Sequence, residues 1–228
     1  MTQRFNGFPT DGQQFLVDLA REQNRDWFAA HRSLYDDALQ GPLIDLVLDL
    51  TDELARRGVP LQGDPKRNIF RIHRDVRFSK DKSPYKTHVS ATLTADGGKL
   101  SFGILYIQID PKGAFVACGF YMPEPADLAA MREALVADPA AWRRIESALA
   151  LHGLALEPDE AALKRVPRGF EGVDDAALHE MLKRRSWIIS VPLTKAEIGA
   201  PGLVNKIADF ATAAMPLLRF GLSATGRA

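Results

Sequence analysis

At Asn68 the hydrophobic pattern changes period, and that change limits the architectures open to the chain. Before it, apolar residues recur every three or four positions; after it, they alternate. Phe70, Ile72, Val76 and Phe78 fall on one face of an extended segment, with Arg71, His73, Asp75 and Arg77 on the other. Three more strand-like runs follow: THVSATLTA, then KLSFGILYIQID beyond the turn Asp96-Gly97-Gly98, then AFVACGFYMP beyond Pro111-Lys112-Gly113. Short strands joined by Gly-rich turns, with no helix between them, predict an antiparallel meander. LYIQI is apolar on both faces apart from Gln108, so it is expected to be a central strand covered on both sides.

Helical patterns flank this block. Thr10 or Asp11 is the expected N-cap of a first helix carrying Phe15, Leu16 and Leu19, and Asn24 that of a second carrying Trp27, Phe28, His31 and Tyr35. Gly41-Pro42 breaks or restarts the helix, and Leu43, Leu46, Leu50 and Leu54 form the stripe of the next, which ends at Gly58. Beyond the meander, Pro123 and Pro125 start a helix with Leu128, Met131, Arg132 and Leu135. Asp138 with Pro139 starts another with Trp142, Ile145 and Leu149. A short helix over 176–183, a strand in SWIISVPL and a terminal helix from Lys195 complete the reading. The predicted fold class is α+β: an antiparallel sheet of about four to five strands with a meander core, packed by N- and C-terminal helices in a single domain spanning 1–228.

Composition excludes several functions. Lys and Arg total 29, as do Asp and Glu, so the zero formal charge argues against a general nucleic-acid coat. It does not remove a local anion site, because field depends on where charges sit. Cys118, the only cysteine, rules out an intramolecular disulfide or a Cys-based zinc cage, and its apolar surroundings make it a buried structural thiol. The N-terminal MTQRFNGFPTDG lacks the apolar core of a signal peptide, and no run of ~18 apolar residues offers a membrane span. The expectation is a cytoplasmic protein with no membrane partner.

The chemistry concentrates in FRIHRDVRFSKDKSPYKTH, residues 70–88, where six cations face only Asp75 and Asp81. Arg71, Arg74, Arg77, Lys82 and Lys86 are the expected anion-binding residues, arginine supplying paired donors and lysine a movable charge. His73, Asp75, Tyr85, His88 and Arg168 are expected in support. Arg74 falls on the apolar face, where a charge is costly unless paired, so it requires a bulge, a carboxylate or a ligand. Asp75 beside His73 could take part in acid–base chemistry, but the cations around it favour a paired carboxylate that orients Arg74 or Arg77. His73, Asp75 and His88 make a poor metal site, since the same cations repel a dication, and no Walker A, HExxH, GxGxxG or GxSxG pattern is present. The expected partner is a small anionic or phosphorylated ligand, with no cofactor and no metal. A nucleic-acid or protein-interaction surface on the same patch is the alternative, extended by Lys164, Arg165 and Arg168, and a solvated cluster of ion pairs is the bland reading. Oligomeric state is left open.

These residues resemble an uncharacterised bacterial and fungal family, domain of unknown function 2461. The likeness rests on Asn24-Arg25-Asp26-Trp27-Phe28 with His31 and Tyr35, and chiefly on the 70–88 string. It continues through Gly119-Phe120-Tyr121-Met122-Pro123, Leu128 and Arg132, then the run Leu163 to Phe170 and Leu182-Lys183. His73 stands where the family leads one to expect Tyr, and Gln23 where a second Asn is common. The resemblance implies no reaction, cofactor or catalytic residue.

Overall fold

The computed structural model describes residues 4–227. Its first helices are α1 (Thr10–Arg21), α2 (Arg25–Ala30), α3 (Arg32–Tyr35), a π-helical turn (Asp36–Gln40) and α4 (Gly41–Arg56). Asn24 caps α2 as expected, its side-chain oxygen accepting from the Trp27 N–H at 2.8 Å. At α1 the expected cap is displaced: Pro9 takes the N-cap position and makes no side-chain bond, so Thr10 and Asp11 already lie inside the first turn. Pro42 sits in the first turn of α4, and the stripe Leu43, Leu46, Leu50 and Leu54 is buried. Gly58 adopts φ 70° just beyond that helix, a left-handed conformation that suits a helix end.

The sheet holds β1 (Val89–Thr94), β2 (Ile104–Ile109), β3 (Ala114–Phe120) and β4 (Trp187–Leu193), antiparallel and in sequential order. The α+β meander is thus as the alternation predicts. β2 is interior to the sheet, but only alternate residues are fully buried, whereas every residue of β1 is buried. The reason is local: α4 packs on β1, and isolated bridges Gln62↔Thr94 and Ile69↔Ala91 cover its outer edge.

The strand expected over 70–78 does not form. A short helix α5 (Pro65–Asn68), capped by Asp64, delivers an extended but irregular chain. Burial still alternates at its start, with Ile72 buried between exposed Arg71 and His73, while Phe78, expected on the apolar face, is 96 % exposed. Alternation therefore reports extended backbone correctly here and sheet membership incorrectly.

By contacts the chain divides into two compact units. The first takes in the chain up to Ser101, Leu105–Val116 and Pro192–Asp209, including α9 (Lys195–Ile198) and the start of α10 (Leu203–Ala224). Its core gathers Phe5, Phe8, Phe15, Leu16, Leu39, Leu46 and Leu93. The second comprises Phe102–Ile104, Ala117–Val191 and the chain from Phe210, with α6 (Pro125–Ala137), α7 (Pro139–Ala150) and α8 (Ala176–Lys183). Asp138 caps α7 through the Ala141 N–H at 2.8 Å, with Pro139 in the first turn, as expected. Trp142, Trp187 and Phe220 pack with ring centroids 4.9–5.6 Å apart. Gly119 on β3 has φ 135°, and a Cβ there would lie 2.0 Å from the Trp187 carbonyl oxygen, so only glycine fits. Cys118 is buried, which pushes its thiol up to about 12 and keeps it inert. Among the described residues no helix is long and apolar enough to cross a membrane.

Candidate anion-binding site

The 68–88 segment folds as an irregular hairpin against β1. Asn68, fully buried, accepts from the Asp64 N–H at 2.9 Å and donates to the Gly98 carbonyl at 3.2 Å, fixing the entry. Phe70 N donates to Ser90 O at 2.9 Å, Lys86 N to Ile72 O at 2.8 Å and Arg74 N to Pro84 O at 2.8 Å. A single bridge, His73↔Tyr85, ties the arms. Tyr85 faces inward: its ring stacks on Phe28 at 4.4 Å, and its N–H donates to the Gln23 side chain at 3.0 Å.

Beyond that bridge the tip is braced by its own charges. Arg77 grips both oxygens of Asp75, at 3.0 and 2.7 Å, and holds that carboxyl below the usual carboxylate range. Arg74 pairs with Asp81, an exposed acid of the same loop, which explains a charge on an otherwise apolar face. The Ser83 hydroxyl, first, and then Arg74 lower the Asp81 pKa. Lys82 Nζ donates to Val76 O at 2.9 Å. Arg74, Arg77 and Lys82 are thus engaged in shaping the loop.

At the base the pattern reverses. Lys86 and Lys99 place their ammonium groups over the ring of Phe70, 5.2 and 4.3 Å from its centroid, and Lys99 also donates to Ile69 O at 2.7 Å. Among the described residues, neither lysine nor Arg71 has a carboxylate partner within ion-pair distance. Burial, then the charge of Lys99, then that of Arg71 push the Lys86 pKa down; burial and Arg71 do the same to Lys99. His88 stands half-buried beside them, its pKa lowered by burial and Lys86 against an opposing pull from Asp110. Tyr106 meets Phe70 edge-on at 6.2 Å and donates its hydroxyl to Gln108 at 2.8 Å.

Phe70 and Arg71 also border an open cleft of about 290 Å³, whose polar lining is Arg32, Tyr35, Gln40, Lys66 and His73. Arg32 is paired with Asp36 at 2.9 Å, and burial raises the Tyr35 hydroxyl to about 12, so it can donate but does not ionise near neutrality. No group of three His, Cys, Asp or Glu side chains among the described residues could hold a metal.

Of the residues singled out from sequence, Arg71, Lys86 and His88 gather near Phe70, and Arg71 and His73 share the cleft. Arg74, Arg77, Lys82 and Asp75 belong to the tip, Tyr85 to the interior, and Arg168 to an exposed loop of the second unit. Lys99, Lys66 and Arg32 were missed. Lys99 carries no local signal, since a lysine after a Gly-Gly turn ordinarily reads as a solvated turn residue.

The structure defines an α+β protein with an antiparallel meander and a cluster of cations around Phe70. Residues 11–220 match the family model described as a conserved hypothetical protein, DUF2461, and the chain belongs to that family. No curated protein and no solved structure matches it.

Proposed function

We propose that the chain binds a small anionic or phosphorylated ligand at Arg71, Lys86 and Lys99, with the adjoining cleft receiving the remainder of the molecule. The observation that carries this reading is the meeting of two partly desolvated lysines over one ring, beside an arginine, with no carboxylate within ion-pair distance among the described residues. Such a like-charge group costs stability until an anion lies among it, and arginine adds the paired donors that phosphate and carboxylate accept. His88 and His73 supply further donors, while Tyr35 offers a neutral hydroxyl in the cleft. A thermal-shift screen of phosphorylated metabolites, nucleotides and dicarboxylates tests it. Compounds that stabilise the wild type should lose their effect in Lys86→Gln/Lys99→Gln and keep it in Arg77→Ala/Lys82→Ala. Equal stabilisation of both variants would sink the proposal.

A second reading rests on Phe78, almost wholly exposed with the Arg77 guanidinium 5.9 Å from its ring centre and Lys80 and Lys82 close by in sequence. An exposed ring among cations is a platform for a nucleic-acid base. Binding of a single-stranded oligonucleotide that weakens steeply with salt and is lost in Phe78→Ala would favour it. For either ligand we place the protein in a reducing compartment such as the cytoplasm, in keeping with its single, buried, unpaired cysteine.

A further inference from the structure

In the second unit, the guanidinium groups of Arg132 and Arg184 have no carboxylate within ion-pair distance among the described residues. Arg132, on α6, is 9 % exposed; its Nη2 donates to the Arg184 carbonyl at 3.0 Å, and its Nε is sealed from solvent with no partner. Arg184, partly buried, also ends on carbonyls: Nε on Ser186 at 3.1 Å and Nη2 on Glu157. Exposed Arg185 follows directly and adds its charge to the field at Arg132. The acid whose charge reaches Arg184 is Asp159, and it is already occupied. One oxygen accepts from the Arg185 and Ser186 N–H groups, the other from Ala161. Glu157 directs its carboxylate to the Ser190 hydroxyl.

A buried guanidinium without a counter-charge is expensive, and its replacement by an apolar side chain of similar length would remove the cost. Ser186, whose carbonyl accepts from Arg184, also accepts through its hydroxyl from the N–H of Met122, a non-glycine residue at φ 44°, at 3.1 Å. Strain of this kind collects at ligand clamps. We infer that Arg132, Arg184 and Arg185 form a second oxyanion site, independent of the Phe70 cluster, which takes a phosphate or carboxylate group. Arg132 supplies the buried charge, Arg184 a second guanidinium held by backbone carbonyls, and Arg185 the exposed cation that draws the anion in.

The test is an NMR titration of the full chain with inorganic phosphate and, separately, acetate. It is read at the backbone amides of Arg185 and Ser186, while the ammonium resonances of Lys86 and Lys99 report on the first site. Saturable shifts at the two amides are expected with at least one anion, weakened about tenfold or more in Arg132→Met and severalfold in Arg185→Gln. Should Arg132→Met fail to fold, Arg185→Gln decides. Absence of saturation with both anions, or unchanged affinity in every variant that folds, overturns the inference. Shifts confined to the lysines overturn it while leaving the first site standing.

Discussion

Lys86 and Lys99 lie over the same ring, that of Phe70, and among the described residues neither has a carboxylate within ion-pair distance. Burial first, then the charge of Lys99 and that of Arg71, hold the folded-state pKa of Lys86 below the ordinary 10.5. The unfolded chain binds more protons at this position, so its contribution to stability is fully present above 10.5 and is lost as pH falls through the folded value. Lys99→Gln should raise the Lys86 pKa and flatten the rise of stability with pH over that window. Side-chain carbon shifts of Lys86, followed from neutral to alkaline pH, check the first outcome. A Lys86 pKa unmoved by Lys99→Gln would mean that burial and Arg71 set it without Lys99.

Asp49, buried on α4, anchors the start of the described chain. It accepts from the backbone N–H groups of Arg4 and Phe5, each at 2.7 Å, and from the Arg4 guanidinium at 2.9 Å. Asp49→Ala leaves the buried Phe5 N–H without its acceptor. A loss of about 3 kcal/mol in urea denaturation is expected, since bonds to a charged acceptor exceed neutral ones and an orphaned donor adds its desolvation cost.

Asp81 serves the tip of the hairpin differently, because it is exposed. Its carboxylate accepts the Ser83 hydroxyl at 2.6 Å and the Ser83 N–H at 2.9 Å, besides pairing with Arg74. Its folded pKa is lowered, so its contribution is present above the unfolded value of 3.8 and is lost as pH falls through the folded one. Asp81→Ala should speed hydrogen exchange over 74–83 and leave the melting temperature almost unchanged, as exposed pairs contribute little globally.

What the sequence made legible follows from how local each signal is. The stripe of α4, the caps at Asn24 and Asp138, and the meander of β1 to β3 are set by residues a few positions apart, and all appear as read. The 70–78 segment alternates as a strand does, yet its ladder partners are few: Pro84 lacks an N–H to return the bond its carbonyl accepts from Arg74, and one bridge joins the arms. At the candidate site, density of charge singled out the 70–88 segment but could not tell cations paired within the loop from those without a carboxylate partner. Arg77 and Asp75 are two residues apart, so their pairing was readable; Lys99 reaches Ile69 across 30 positions, and only the fold joins them.

Gly221 and Phe120 provide the sharpest packing test. Gly221 lies on α10, and a Cβ there would sit 2.2 Å from Phe120 Cζ, with two more ring carbons within 2.8 Å. In a helix interior, Gly→Ala ordinarily stabilises by about 1 kcal/mol, because alanine has less backbone entropy to lose. Here the ring, itself buried at 1 % exposure, must move, and overpacking should reverse the sign, for a net loss of about 1–3 kcal/mol. Phe120→Leu alone removes ring volume and should cost about 1–2 kcal/mol through the space it leaves. Combined, the new methyl occupies room the smaller side chain vacates, so the double variant should be more stable than the sum of the singles by about 1 kcal/mol or more. Urea denaturation of the four proteins of this cycle measures that coupling. Additive losses would show that Gly221 is required for helix geometry and not for the ring beside it.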